Sequence, residues 1–120
     1  MSDATADPLE DLRVRMRRFA DERDWQQFHS PKNLAIALSV EASELLEHFQ
    51  WITEESSRQM PEEAREPVRQ ELADVLLYLV RLADQLGVDL AAAALDKIAL
   101  NEQKYPIEKA RGRSLKYTQF

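Results

Sequence analysis

Cysteine is absent from the chain. That removes disulfide frameworks, thiol nucleophiles, cysteine zinc sites and zinc-dependent deaminases, and it suits a reducing, cytoplasmic compartment. Glycine is nearly absent too: Gly87 and Gly112 are the only two. They lie too far apart for a P-loop, a dinucleotide fingerprint or a Nudix box, which need close glycines so that backbone N–H groups can approach phosphate. The two histidines, His29 and His48, are also distant and neither is followed by aspartate. An HD-type hydrolase or an HExxH protease is therefore not expected. Basic residues are in the minority, 16 against 22 acids for a net charge of −6, whereas a general binder of nucleic acid polymers needs the opposite sign. No long hydrophobic run exists. The longest charge-free stretch beside one is Asn33 to Val40, far short of the ~20 residues that span a bilayer. Met1 to Asp11 is acidic and polar, unlike a signal peptide. A soluble protein without membrane association is expected.

What is present is a helix-forming composition. Hydrophobic residues make up 44% and charged residues 32% of 120 residues, enough for one domain with its own core. Asp7-Pro8 reads as an N-cap and first helical position, and Leu12, Met16 and Phe19 then form an apolar stripe at i, i+4, i+7 up to about Glu22. An aromatic-rich connection, Asp24 to His29, follows. Ser30-Pro31 opens a second helix expected to run to about Trp51. Thr53 to Met60 is polar and reads as a loop. Pro61 can start a short helical turn, and Pro67 can start or kink a third long helix that Gly87 stops after Leu86. Asp89 caps a fourth helix from Leu90 to about Lys104, ended by Tyr105-Pro106. The predicted fold is an all-α four-helix bundle in a single domain over residues 1–120, with 1–7 and about 107–120 as flexible or intersubunit tails.

The third long helix is apolar on more than one face, through Val68, Leu72, Val75, Leu76, Leu79, Val80, Leu82 and Leu86. A helix in a monomeric bundle needs one stripe. The surplus favours a homo-oligomer over a central helix in a compact monomer.

Two acidic pairs carry the chemistry: Glu41 with Glu44, and Glu71 with Asp74, each at i, i+3 on one helix face. Spacing alone is weak, because 22 acids in 120 residues give roughly four such pairs by random placement, mostly on solvated faces. Context adds weight. Glu41 and Glu44 are the only charges between Leu34 and Leu46, and Glu71 and Asp74 the only ones between Glu71 and Val80. Carboxylates inside apolar runs need compensation. Protonation with raised pKa values is one form. Salt bridges to Lys97, Arg69 or Arg81 are a second, and a hard divalent cation with oxygen ligands is a third. If the second and third long helices pack antiparallel, four carboxylates converge on a Mg²⁺ or Mn²⁺ site with positions left for water and phosphate oxygens. A ferritin-like di-iron site needs Glu-x-x-His, and Leu45 stands three positions before His48.

Further candidates are less specific. Lys97, Asn101 and Lys104 at i, i+4, i+7 could meet phosphate oxygens or form an ordinary solvated face. Lys109, Arg111, Arg113 and Lys116 could clamp a polyphosphate or pair with a neighbouring chain. Trp25, Phe28, Trp51 and Tyr78 could stack a base, at ~1–3 kcal/mol each, or belong to the core. His29 and His48 have capping or surface roles as their default.

Glu41-x-x-Glu44 followed by Glu71-x-x-Asp74 resembles the metal motif of the MazG-like, all-α nucleoside triphosphate pyrophosphohydrolases. The strings Glu22-Arg-Asp-Trp-Gln-Gln-Phe-His29, Phe49-Gln-Trp51, Asp74-Val-Leu-Leu-Tyr-Leu79, Lys104-Tyr-Pro106 and Lys116-Tyr-Thr118 are similar to the dCTP pyrophosphatase branch of that family. The likeness covers roughly Leu12 to Phe120. It implies a homotetramer with sites shared between subunits, and Mg²⁺-dependent hydrolysis of (deoxy)nucleoside triphosphates, dCTP or modified dCTP among them, to monophosphate and pyrophosphate. Such an activity cleans the nucleotide pool. The resemblance carries metal ligation to Glu41, Glu44, Glu71 and Asp74, with water activation by Glu41 or Glu44. It carries base or sugar contacts to Trp25, Phe28, His29, Trp51 and Tyr78, and phosphate contacts to Lys97 and Asn101. It departs at Met16, which stands where animal members have a substrate-contacting histidine. The competing reading is a non-enzymatic, helical, homo-oligomeric interaction module with the acids as interface salt bridges. A phosphate-handling enzyme that cuts a different bond is a third.

Overall fold

A computed structural model describes residues 7–120. The tail expected over residues 1–7 lies, apart from Asp7, outside the described residues. No strand occurs among the described residues. They divide into a larger unit that ends at Val88 and a smaller one, Asp89–Phe120.

The larger unit is built on three long helices, and their starts follow from local chemistry. In α1 (Pro8–Glu22) the Asp7 carboxylate accepts from the backbone N–H groups of Leu9 and Glu10 at 3.1 and 3.2 Å, with Pro8 in the first turn where its missing N–H costs nothing. In α2 (Pro31–Glu47) Ser30 Oγ accepts from Asn33 N–H at 3.1 Å. Between α1 and α2 the aromatic connection folds into a short 3-10 turn, Gln26–Phe28. α2 ends earlier than Trp51. His48 caps it, and its N–H and that of Phe49 reach back only three residues, to Leu45 and Leu46, so the last turn tightens and the helix stops. Part of the expected loop is helical as well. Thr53 Oγ1 accepts from Ser56 N–H at 3.0 Å and starts α3 (Glu54–Arg58), with Glu54 and Glu55 in its first turn and Arg58 in its last, as the helix dipole favours. α4 (Glu62–Leu86) runs unbroken through Pro67, six residues in, where the missing N–H deprives only the Glu63 carbonyl of a partner.

Two helices end the same way with different residues. Past α4, Gly87 sits at φ 69°, with Gly87 N–H on Asp84 O at 3.1 Å and Val88 N–H on Ala83 O at 2.9 Å. Past α1, Asp24 sits at φ 56°, with Asp24 N–H on Asp21 O at 3.1 Å and Trp25 N–H on Ala20 O at 2.9 Å. Both are Schellman ends with a left-handed residue, glycine in one and aspartate in the other.

α4 packs along α2 and, less extensively, against α1. Ala20, Leu34, Val68, Val80 and Ala83 are the buried apolar residues. Leu34, 1% exposed, stabilises by about 2 kcal/mol through burial alone. This core is small for the apolar content. Leu72, Leu76, Leu79 and Leu86 of α4, together with Ile36 and Val40 of α2, remain exposed.

In the smaller unit, Asp89 Oδ1 accepts from Ala92 N–H at 3.0 Å and opens α5 (Leu90–Lys104), which ends at Tyr105 ahead of Pro106. A short helix α6 (Ile107–Ala110) and a 3-10 turn, Tyr117–Gln119, follow. The turn returns onto the end of α5: Tyr105 meets Tyr117 and Phe120 edge-on at 6.0 and 5.8 Å, and Lys104 Nζ lies 4.9 Å from the Tyr117 ring centre. Leu95, Ile98 and Leu100 of α5 are exposed.

Candidate functional site

The two acidic pairs meet along the α2–α4 contact. Glu41 feels the charges of Glu71 and Asp74, while Glu47 and His48, further along α2, act on Glu71, which precedes Asp74. The i, i+3 spacing in each helix turns both pairs toward this seam. One carboxylate oxygen from each of Glu41, Glu44 and Glu71 can be chosen so that all lie within 4.8 Å of one another. Asp74 is outside that group, near enough to act on its charge. All four side chains are half-buried.

The electrostatics follow from this crowding. Contact with the Glu44 carboxyl, then burial, then the charges of Glu44, Glu71 and Asp74 push the Glu41 carboxyl up to about 7. Glu71 is raised chiefly by burial, then by Glu44 and Asp74, against a smaller pull from His48. Glu71 Oε2 is buried with no hydrogen-bond partner, a costly state for a carboxylate oxygen. Ion pairing does not provide the compensation. Arg69 binds Glu66 at 3.3 Å and Arg81 binds Asp84 at 3.2 Å, and among the described residues none of the four acids pairs with a base inside the larger unit. Protonation and a cation remain. An all-oxygen set of carboxylates with one bare oxygen suits a hard divalent ion.

The aromatic connection forms a second group. Trp25 stands edge-on between Phe19 at 5.6 Å and His29 at 6.0 Å, and the Arg23 guanidinium lies 3.7 Å over the Phe19 ring. Phe28 is exposed beside them and Tyr78 is half-buried on α4, one turn after Asp74. Trp51 is 87% exposed. Among the described residues it makes no aromatic pair, so Trp51 is not gathered with the other aromatics. A cleft of about 750 Å³, lined by Phe49, Arg58, Met60, Val68 and Leu72 among others, contains none of Trp25, Phe28, Trp51 and Tyr78. Lys97 and Asn101 lie one turn apart and exposed on α5 of the smaller unit.

One element was missed in the sequence. Arg81 is the one buried charged residue among those described, at 2% exposure. Its guanidinium donates to Asp84 Oδ2 at 3.2 Å, to His29 Nδ1 at 3.1 Å and to Gln26 Oε1. Asp84 also accepts from Arg13 at 3.1 Å and from Arg17 at 2.6 and 3.0 Å. Burial alone would raise Asp84, but the bonds from Arg17 and Arg13 outweigh it and hold the carboxyl below its usual range. His29 is lowered, first by burial and then by the Arg81 charge. The signal was available: Arg81 and Asp84 form another i, i+3 charged pair in an apolar run, beginning at the residue directly after Val80.

The model of the MazG-like family matches residues 36–120. Mouse dCTP pyrophosphatase 1 is 47% identical over 112 residues, covering 92% of this chain and 66% of that protein. The human dCTP pyrophosphatase 1 is 47% identical over 113 residues with the same shares. The chain thus spans 66% of the length of these relatives. Among solved structures, a pyrophosphatase from Archaeoglobus fulgidus superposes with a TM-score of 0.76 at 40% identity, covering 82% of this chain and 92% of that one.

Proposed function

The chain belongs to the MazG-like family, and on that premise we propose that it is a nucleoside triphosphate pyrophosphohydrolase acting on dCTP or modified dCTP. Its products would be the monophosphate and pyrophosphate, and its role the removal of unwanted deoxynucleotides. The observation that carries this reading is the convergence of Glu41, Glu44 and Glu71 around a bare, buried carboxylate oxygen. The names of the mouse and human relatives, dCTP pyrophosphatase 1, support the substrate class.

Glu41, Glu44, Glu71 and Asp74 would hold Mg²⁺, with Mn²⁺ as a substitute. The ion supplies neutralisation of the phosphate chain and of the charge that develops on the leaving pyrophosphate. Whichever of Glu41 and Glu44 keeps an oxygen free orients the attacking water and accepts its proton. The water oxygen bonds to the α-phosphorus as the α–β anhydride bond breaks. Trp25, Phe28, His29, Trp51 and Tyr78 would contact base and sugar. Lys97 and Asn101 would meet phosphate oxygens.

The proposal includes a cytoplasmic homotetramer with shared sites and no association with nucleic acid polymers. Exposed Leu72 and Leu76 at 54% and 38% support assembly, since α4 presents more apolar surface than one protomer buries. No helix among the described residues is long and apolar enough to cross a membrane.

One panel tests the activity. The protein is incubated with each dNTP and NTP plus Mg²⁺, and monophosphate, pyrophosphate and phosphate are measured. dCMP with pyrophosphate is expected. Inorganic phosphate alone would indicate a different bond, and no product together with no Mg²⁺-linked rise in Tm would leave a helical interaction module.

A further inference from the structure

We propose that Arg81 is a positioning residue that fixes neutral His29 in the tautomer bearing its proton on Nε2, so that the imidazole serves the nucleotide as an N–H donor. The inference rests on the proposed function for the substrate contact, and on geometry alone for the tautomer. A guanidinium only donates, so the nitrogen that faces it must be a lone pair. Arg81 Nε is 3.1 Å from His29 Nδ1, which leaves Nε2 as the protonated nitrogen of the neutral ring. A ring held this way offers a hydrogen to a keto oxygen or a phosphate oxygen, and no acceptor to an amino group.

Arg81 is itself held on every side. Asp84, 5% exposed at its side chain, takes Nη1 and balances the buried charge. Gln26 Oε1 takes Nη2 and also accepts from Gln85 Nε2 at 3.3 Å, while Gln26 Nε2 donates to the Asp21 carboxylate. The carboxylate can only accept and the guanidinium can only donate, which fixes which way the Gln26 amide points. The charged groups around the ring are therefore Arg81 and Asp84 from α4, Arg13 and Arg17 from α1 through Asp84, and Asp21 through Gln26. Burial first, and then the charge of Arg81, lower the His29 pKa from its ordinary value.

Truncating Arg81 is selective. Asp84 keeps Arg13 and Arg17, and Gln26 keeps Asp21 and Gln85. Among the described residues, Arg81 is the only hydrogen-bond partner of the His29 ring.

The test is a long-range ¹H–¹⁵N correlation of the histidine rings in the whole ¹⁵N-labelled protein, with His29→Gln identifying the His29 signals by their loss. The expected wild-type result near pH 7 is a protonated Nε2, an unprotonated Nδ1 and a midpoint below the ordinary ~6.5. In Arg81→Met the tautomers should mix and the midpoint should rise. A wild-type ring protonated on Nδ1 overturns the proposal even if Arg81→Met does not fold. Unchanged His29 signals in a folded Arg81→Met protein overturn it too. In turnover of dCTP, Arg81→Met should raise KM about fivefold to tenfold with kcat within about twofold, the size of one lost hydrogen bond. Arg81→Met combined with His29→Gln should cost no more than His29→Gln alone, and additive losses would show that Arg81 does not act through His29. If the wild-type protein turns over no nucleotide, the proposed function fails while the ring spectra still decide the tautomer.

Discussion

Glu41 and Glu44, one turn apart on α2, press their carboxyl groups together, and the Glu41 proton is retained up to about pH 7. A raised carboxyl pKa means that the folded state binds more protons than the unfolded one between the ordinary value of 4.5 and about 7. Stability therefore falls as pH rises through that window. Thermal melts in EDTA should show Tm declining from about pH 5 to about pH 8, with the Glu71 shift adding in the same direction. Saturating Mg²⁺ should flatten the decline, because the ion takes the place of the proton. Parallel curves with and without Mg²⁺ would remove the cation from the account.

Glu41→Gln or Asp74→Asn should lower the turnover rate at least about a hundredfold, as for loss of a positioned catalytic charge. The fold should survive, with Tm in EDTA equal to or above that of the unaltered protein, since one of several crowded charges has gone. Turnover near the unaltered level from either variant would eliminate the carboxylate mechanism.

Asp84→Asn behaves in the opposite way. It leaves the buried Arg81 guanidinium, and Arg13 and Arg17 with it, without their shared counter-charge. A loss of about 3 kcal/mol in urea unfolding is expected. The carboxyl is held below 3.8, so its contribution is present at neutral pH and vanishes only as pH falls through that lowered value. A loss below about 0.5 kcal/mol would show that half-buried Arg13 and exposed Arg17 contribute nothing and that Arg81 has found another partner.

The paired Schellman ends give a backbone test. A Cβ at Gly87 would meet nothing within 4 Å, so Gly87→Ala should cost about 1 kcal/mol from φ strain alone. Asp24→Gly should recover up to about 1 kcal/mol, offset by loss of the bond from Gln27 Nε2 to Asp24 Oδ2 at 3.2 Å. Opposite signs in urea midpoints, with the smaller change in Asp24→Gly, are the expected pattern, and a neutral Gly87→Ala would contradict it.

Much of this molecule is readable without coordinates because its helices begin and end on short-range chemistry. Asp7, Ser30 and Asp89 cap where their side chains can reach the next backbone N–H groups, and Gly87 stops α4 because few other residues tolerate its φ. The acids were legible because charge inside an apolar run demands a reason. The misreadings have physical causes. Thr53 could cap a helix as well as begin a loop, and Pro67 was tolerated near the start of α4 where little hydrogen bonding was lost. The contact of Arg81 with His29 and Gln26 joins residues more than fifty positions apart, and no periodicity in one segment reports what another brings to it.

The two tryptophans differ in their surroundings, Trp25 42% exposed with Phe19 and His29 edge-on beside it and Trp51 87% open to water. The protein thus carries two unlike intrinsic fluorophores. Trp51 should emit further to the red and be quenched more readily by iodide than Trp25. A ligand that stacks on the first and assembly that shields it would each leave a different optical trace, so occupancy and subunit association can be followed on unlabelled material in one titration.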